Sequence, residues 1–271
     1  MTFLDHILKD VADELSATKL RRSHADIRSM VGDAPPVRSL VDSLSGSFGL
    51  IAEIKERSPS VGPMREKNVA DALQAYEETD LVRGISVLTN HHHFGMTIER
   101  LQAARTWVTK PLLRKDFIIE EYQIREARAF GADAILLMAN VLDASRLSGF
   151  FDLAREVGLD VLFEVHTQEE IDSLPSGVRL AGINSRKFKS DSGFVGATGA
   201  SQKDFSLDYK AFDLVDKLPA DALRVAESGI SPKNVAETSE DFHAVLVGTS
   251  LLRDERGIRT CLREFEDAIH D

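Results

Sequence analysis

Charged residues stand inside, or at the end of, apolar runs at several points of this chain. Glu53 and Lys55 close GLIAEIK, Lys115 lies in KPLLRKDF, and Glu164 lies in LDVLFEV. Burying a charge is costly unless it is paired or put to use, so these positions point to a site rather than to a solvated face. An ammonium beside an oxygen that gains charge can protonate it, and a carboxyl can deliver or remove a proton. In an extended chain Glu53 and Lys55, two positions apart, share one face. Other run ends carry Asn184 with Arg186 nearby, then Glu227, Ser228 and Gly229, then Gly248 and Thr249. Glycine next to a hydroxyl residue suits a turn whose N–H groups face an anion such as phosphate.

These residues share a place only if the elements bearing them converge. From Gly49 onward the chain shows eight short apolar runs, beginning near residues 49, 84, 110, 133, 159, 180, 223 and 243. Amphipathic stretches such as EEYQIREARAF and ASRLSGFFDLAREV separate them. Strands alternating with helices imply a parallel sheet with crossover connections. Eight such units predict a (β/α)8 barrel of the α/β class, with its active site at the C-terminal strand ends. A doubly wound open sheet is the competing architecture, and the absence of GxGxxG after the first run counts against it. Residues 1–48 are read as an N-terminal helical extension, with Phe3, Leu4, Ile7, Leu8, Val11 and Leu15 at helical spacing and a break at Pro35-Pro36. Residues 49–271 are read as the barrel, the whole forming one domain. The 187–206 segment, rich in glycine, predicts an extended loop beside the site.

A formal charge of -11 argues against a nonspecific basic footprint on nucleic acid or an anionic membrane. No apolar run approaches the length of a membrane span, and the N-terminus mixes acidic and basic residues with its apolar ones, unlike a signal peptide. The lone cysteine, Cys261, can form no intrachain bridge, and a reducing cytoplasm is the simplest address. His91-His92-His93 reads as a polar loop: in an extended chain at most His91 and His93 converge, and no third ligand stands nearby in sequence. Arg21-Arg22 and the acidic C-terminal helix read as solvated faces, and Trp107 as packing between helices.

IAEIKERSPSVG (51–62), SVLTNHHHFG (86–95), PLLRKDFIIEEYQIREARAFGADAILLMA (111–139), GLDVLFEVHTQEE (158–170), GINSR (182–186), ESGI (227–230) and LVGTSLLR (246–253) together resemble the indole-3-glycerol phosphate synthase family. The resemblance runs from the N-terminal helices to the last helix. It implies a cofactor-free and metal-free ring closure of 1-(2-carboxyphenylamino)-1-deoxyribulose 5-phosphate, with loss of carbon dioxide and water, in tryptophan biosynthesis. Carried over by position, it implies Lys115 as the acid at the ketone, Glu164 as the carboxyl of the dehydration, Glu53 as its helper, and Lys55 on an anionic end of the substrate. Asn184 and Arg186 would orient a hydroxyl or the aromatic carboxylate, Ser58 and Glu227 would bind substrate, and Phe94 and Phe117 would wall the anthranilate ring. Ser228, Gly229, Gly248 and Thr249 would take the phosphate. Association with other enzymes of the pathway is a further expectation.

The chain departs from the family's usual pattern at Ser185, where NNR is common, at Asn90, where an acidic residue is usual, and in the longer segment after Arg186. Two rival readings predict different chemistry. Phosphoribosylanthranilate isomerase would rest on a Cys/Asp pair, whereas Cys261 lies in the last helix. A barrel kept only for assembly would not need Glu53, Lys55, Lys115 and Glu164 together.

Overall fold

In the computed structural model, which describes residues 2–188 and 205–270, all eight apolar runs are strands. They are β1 (Gly49–Ile54), β2 (Val82–Leu88), β3 (Leu112–Lys115), β4 (Ala134–Met138), β5 (Asp160–Val165), β6 (Leu180–Asn184), β7 (Leu223–Glu227) and β8 (Ala244–Val247). They pair in parallel in the order β1-β8-β7-β6-β5-β4-β3-β2, and β1 pairs with β2 to close the ring. Closure leaves no edge strand and excludes the open sheet. Neighbouring residues such as Leu50, Ile51 and Ala52 are all fully buried, because one face of each strand fills the barrel and the other packs against helices.

The N-terminal helices reach both ends of the barrel. They are α1 (Phe3–Arg21), α2 (His24–Asp33) and the short α3 (Leu40–Leu44). Capping boxes at Thr2/Asp5 and Ser23/Asp26 start the first two. The apolar stripe of α1 buries Phe3, Ile7, Val11 and Leu15, and Phe3 and Ile7 pack in one cluster with Phe117, Leu136 and Met138 at the C-terminal strand ends. Helix α3 covers the opposite end, where Val41 N and Ser39 Oγ donate to Asp160 Oδ2 (3.0 and 2.9 Å) at the start of β5. Asp133, fully buried before β4, accepts from Arg38 N (2.7 Å), Leu112 N (2.8 Å) and Arg105 Nη1 (2.6 Å), tying the linker to the barrel floor.

Three expectations about single residues fail. Trp107 ends the helix Ile98–Trp107 and is 79% exposed; burial passes to Val108, where the helix stops. Arg22 is partly buried, pairing with Glu126 and Glu99 and lying 4.4 Å over the Phe130 ring. The histidine triplet is not an extended loop: His91–Phe94 form one helical turn, α4, capped by Asn90 and ended by Gly95 in the left-handed region. Among the described residues no helix is long and apolar enough to cross a membrane.

Candidate active site

The parallel register delivers the charged residues to one end of the barrel. Lys115 closes β3, Glu164 lies one residue from the end of β5, Asn184 closes β6 and Glu227 closes β7. Glu227 stands opposite Asn184, and Glu164 opposite Gly182. The Lys115 ammonium donates to Glu227 Oε2 (2.6 Å) and to Glu164 Oε2 (3.1 Å). Lys55 Nζ donates to Glu53 Oε1 (2.5 Å). Two glycines allow this convergence. A Cβ on Gly182 would overlap Glu227 Oε1, and one on Gly248 would overlap Glu53 Oε1, so each carboxylate crosses a neighbouring strand where no side chain stands.

Burial and charge set the proton affinities. Burial disfavours the Lys115 ammonium, but Glu227, then Glu164 and Glu53, outweigh it and hold the proton far more tightly than on an ordinary lysine. Burial likewise opposes ionisation of Glu164, yet Lys115 and then His166 hold its carboxyl below the usual range. Glu227 goes the other way: burial, joined by repulsion from Glu164, pushes it up to about 7 against the pull of Lys115. Two carboxyls sharing one ammonium are thus driven apart, the pattern of an acid and a base at neutral pH.

This divergence has a consequence for stability. Glu227 ionises near 7 when folded, above the 4.5 of a free glutamate. Its favourable contribution is therefore complete below the unfolded value and is lost as pH rises through the folded one. Glu227→Gln, which cannot ionise, is expected to raise the thermal midpoint relative to the parent above pH about 7, the difference shrinking toward pH about 5. Midpoints recorded across that range check it; a pH-independent difference would show that the site does not hold up the ionisation.

Around the charges lies a cavity of about 320 Å³, within the range of small-ligand sites. Glu53, Lys55, Ser58, Phe94, Lys115, Phe117, Glu164, Asn184, Arg186, Glu227, Ser228, Gly229, Gly248 and Thr249, the residues to which the family resemblance gives a role, all line it. Ser58 sits in a two-strand ribbon after β1, its hydroxyl 3.0 Å from that of Ser60. Asn184 Oδ1 accepts from Arg186 N (3.0 Å), fixing the turn that leaves β6. After β7, Ser228 and Gly229 have φ of 70° and 75°. A non-glycine residue in that region costs about 1 kcal/mol or more and is commonest at ligand clamps. The strained turn is braced: the Ser228 carbonyl accepts from Ser185 Oγ (3.0 Å), and the Gly229 carbonyl accepts from Tyr209 OH (3.0 Å) and Asn234 Nδ2 (3.1 Å). Ser250 Oγ donates to the Ile230 carbonyl (2.5 Å), joining the turns after β7 and β8.

The family model described as indole-3-glycerol phosphate synthase matches residues 4–264. The chain belongs to the indole-3-glycerol phosphate synthase family. That membership makes it a carboxy-lyase of tryptophan biosynthesis acting on a small phosphorylated substrate. It is 36% identical over 267 residues to the indole-3-glycerol phosphate synthase of Kineococcus radiotolerans, covering 94% of this chain and 92% of that one. It is 34% identical over 278 residues to that of Paenarthrobacter aurescens, covering 99% and 97%. The fold also matches a solved structure of thiamine phosphate pyrophosphorylase from Pyrococcus furiosus, with a TM-score of 0.56 over 86% of this chain and 98% of that one; at 15% identity this shows the barrel alone.

Within this synthase fold, four contributors to the site were not legible as such. Phe3 and Ile7 of α1 line the cavity, although their spacing spoke only of a helix with one apolar face. His166, two residues beyond Glu164, places Nε2 3.6 Å from Glu164 Oε1 and Nδ1 3.2 Å from Glu170 Oε2. Burial lowers its proton affinity, but Glu170 and Glu164 outweigh that and raise it. Ser185 supplies the hydroxyl that braces Ser228. The interior of the 187–206 segment, expected to be an extended loop, lies outside the described residues over 189–204; its flanks, Arg186–Phe188 and Phe205–Leu207, pair as an antiparallel ribbon.

Proposed function

We propose that this mouth closes the indole ring of 1-(2-carboxyphenylamino)-1-deoxyribulose 5-phosphate, with Lys115 as the first acid. The ring carbon bearing the carboxylate attacks the ribulose ketone, and the ketone oxygen takes the Lys115 proton to become a hydroxyl. The ammonium can give up its proton because the acceptor oxygen gains charge as the carbon–carbon bond forms. Carbon dioxide then leaves, its bonding electrons restoring the aromatic ring. In the second stage the hydroxyl departs as water and the adjacent carbon loses a proton, forming the indole double bond. Glu164 serves this proton transfer, with Glu53 assisting and His166 holding Glu164 in place.

Lys55 pairs with an anionic end of the substrate, and Asn184 and Arg186 orient its hydroxyl or aromatic carboxylate. Ser58 and Glu227 add hydrogen bonds, and Phe94 and Phe117 enclose the anthranilate ring. The strained turn at Ser228 and Gly229, with Gly248 and Thr249, receives the phosphate. Each step moves protons and carbon bonds without a net redox change, so the scheme calls on no redox cofactor. The observation carrying the reading is one partly buried ammonium in contact with two buried carboxyls at the C-terminal strand ends. Mixing the purified chain with this substrate should produce indole fluorescence with release of carbon dioxide; substrate that binds yet yields none would overturn the reading. The same proposal includes a cytoplasmic address, consistent with the free buried thiol of Cys261, and docking of a neighbouring pathway enzyme, for which the exposed Trp107 offers an apolar contact.

A further inference from the structure

The histidine triplet has no part in this chemistry, yet its folded surroundings are chemically specific. Winding His91–Phe94 into a helical turn brings the side chains of His92 and His93 toward α1. There Asp10 Oδ2 lies 3.1 Å from His93 Nε2 and 3.7 Å from His92 Nε2. The ligand atoms of Asp10, His92 and His93 all fall within 4.8 Å of one another. A tetrahedral zinc ion with bonds of about 2.0–2.1 Å holds its ligand atoms about 3.3 Å apart. Two separations thus bracket that spacing, and the third requires only a small rotation.

The cluster combines one fixed group with adjustable ones. His93 has a side chain 7% exposed, packed edge-on to Phe3 with ring centroids 6.3 Å apart. The side chains of His92 and Asp10 are 49% and 38% exposed, leaving them room to turn and an ion a route in. The backbone beneath is pinned from both sides. His92 N donates to Glu14 Oε1 (3.2 Å), and Arg57 Nη2 donates to the carbonyls of His91 and His92 (2.7 and 3.1 Å). Two imidazoles with one carboxylate suit zinc, cobalt or nickel, whereas magnesium and calcium prefer oxygen ligands alone.

We propose that Asp10, His92 and His93 bind a divalent first-row transition ion, zinc by preference, with water completing the coordination. The ion fastens α1 to α4 beside the active-site cavity, to which α1 contributes Phe3 and Ile7 and the turn contributes Phe94. The site is separate from the charged mouth and does not depend on the reaction assigned to it.

The test uses the full chain, free of any affinity tag and stripped with a chelator, titrated with cobalt(II) by absorption and with zinc by calorimetry. One ion per chain is expected to bind with a dissociation constant in the micromolar range and to raise the thermal midpoint. His92→Ala and Asp10→Asn, both at accessible positions, should each weaken binding by at least about tenfold, since losing even an outer partner of a metal ligand costs that much. His270→Ala, far along the sequence in the last helix, should leave it unchanged. Absence of saturable binding, or equal affinity in the parent and His92→Ala, would reduce the cluster to an Asp10–His93 hydrogen bond and overturn the proposal.

Discussion

Lys115→Ala is expected to lower kcat by at least about a hundredfold, the range lost with a general acid, while KM changes little. The ammonium bridges Glu164 and Glu227 at the mouth, at 3.1 and 2.6 Å. Removing it deletes the proton donor and leaves two carboxyls, 2% and 1% exposed, without their counter-charge. Breaking a buried pair in this way costs about 3–5 kcal/mol. The variant should therefore be less stable than the parent at neutral pH and recover part of the loss in acid, as the carboxyls take up protons. Turnover is measured below the variant's unfolding temperature, so that loss of chemistry is separated from loss of fold. Unchanged kcat in folded Lys115→Ala would remove Lys115 from its role.

Thr249→Asp is expected to act on binding instead. Thr249 lines the cavity beside Gly248, where the turn after β8 meets the strained turn after β7. A carboxylate about 5 Å from a phosphate charge costs about 3 kcal/mol per unit charge at an effective dielectric constant of about 20. KM should then rise by a hundredfold or more, at about 1.4 kcal/mol per factor of ten, while kcat at saturating substrate stays near that of the parent. Steady-state kinetics separates the two effects. An unaltered KM would place the phosphate elsewhere.

The difference between these variants reflects how the site is made. Lys115 and Glu164 are 49 residues apart in the chain, and strand alternation alone could say only that each faces inward or outward. Their meeting depends on closure of the barrel, since β3 and β5 are separated by β4 in the sheet. That Glu227 and Glu53 occupy the space a Cβ on Gly182 and Gly248 would need follows from strand neighbours, not from the residues beside those glycines. His93 gives a parallel case: its acidic neighbour, Asp10, lies 83 residues away on another helix.

By itself the sequence determined the eight strand–helix units, the helices before them, and the reactive residue types at the strand ends. These follow from hydrophobic period and local charge, properties of neighbouring residues. Only the tertiary structure decided that α1 walls the cavity, that Glu227 is the nearer partner of Lys115, that His166 backs Glu164, and that Trp107 faces water. Periodicity tells which face of an element is buried but not against what. The partner is chosen when strand shear and helix packing bring distant segments together, and so are the proton affinities, because they depend on charges that arrive from other strands.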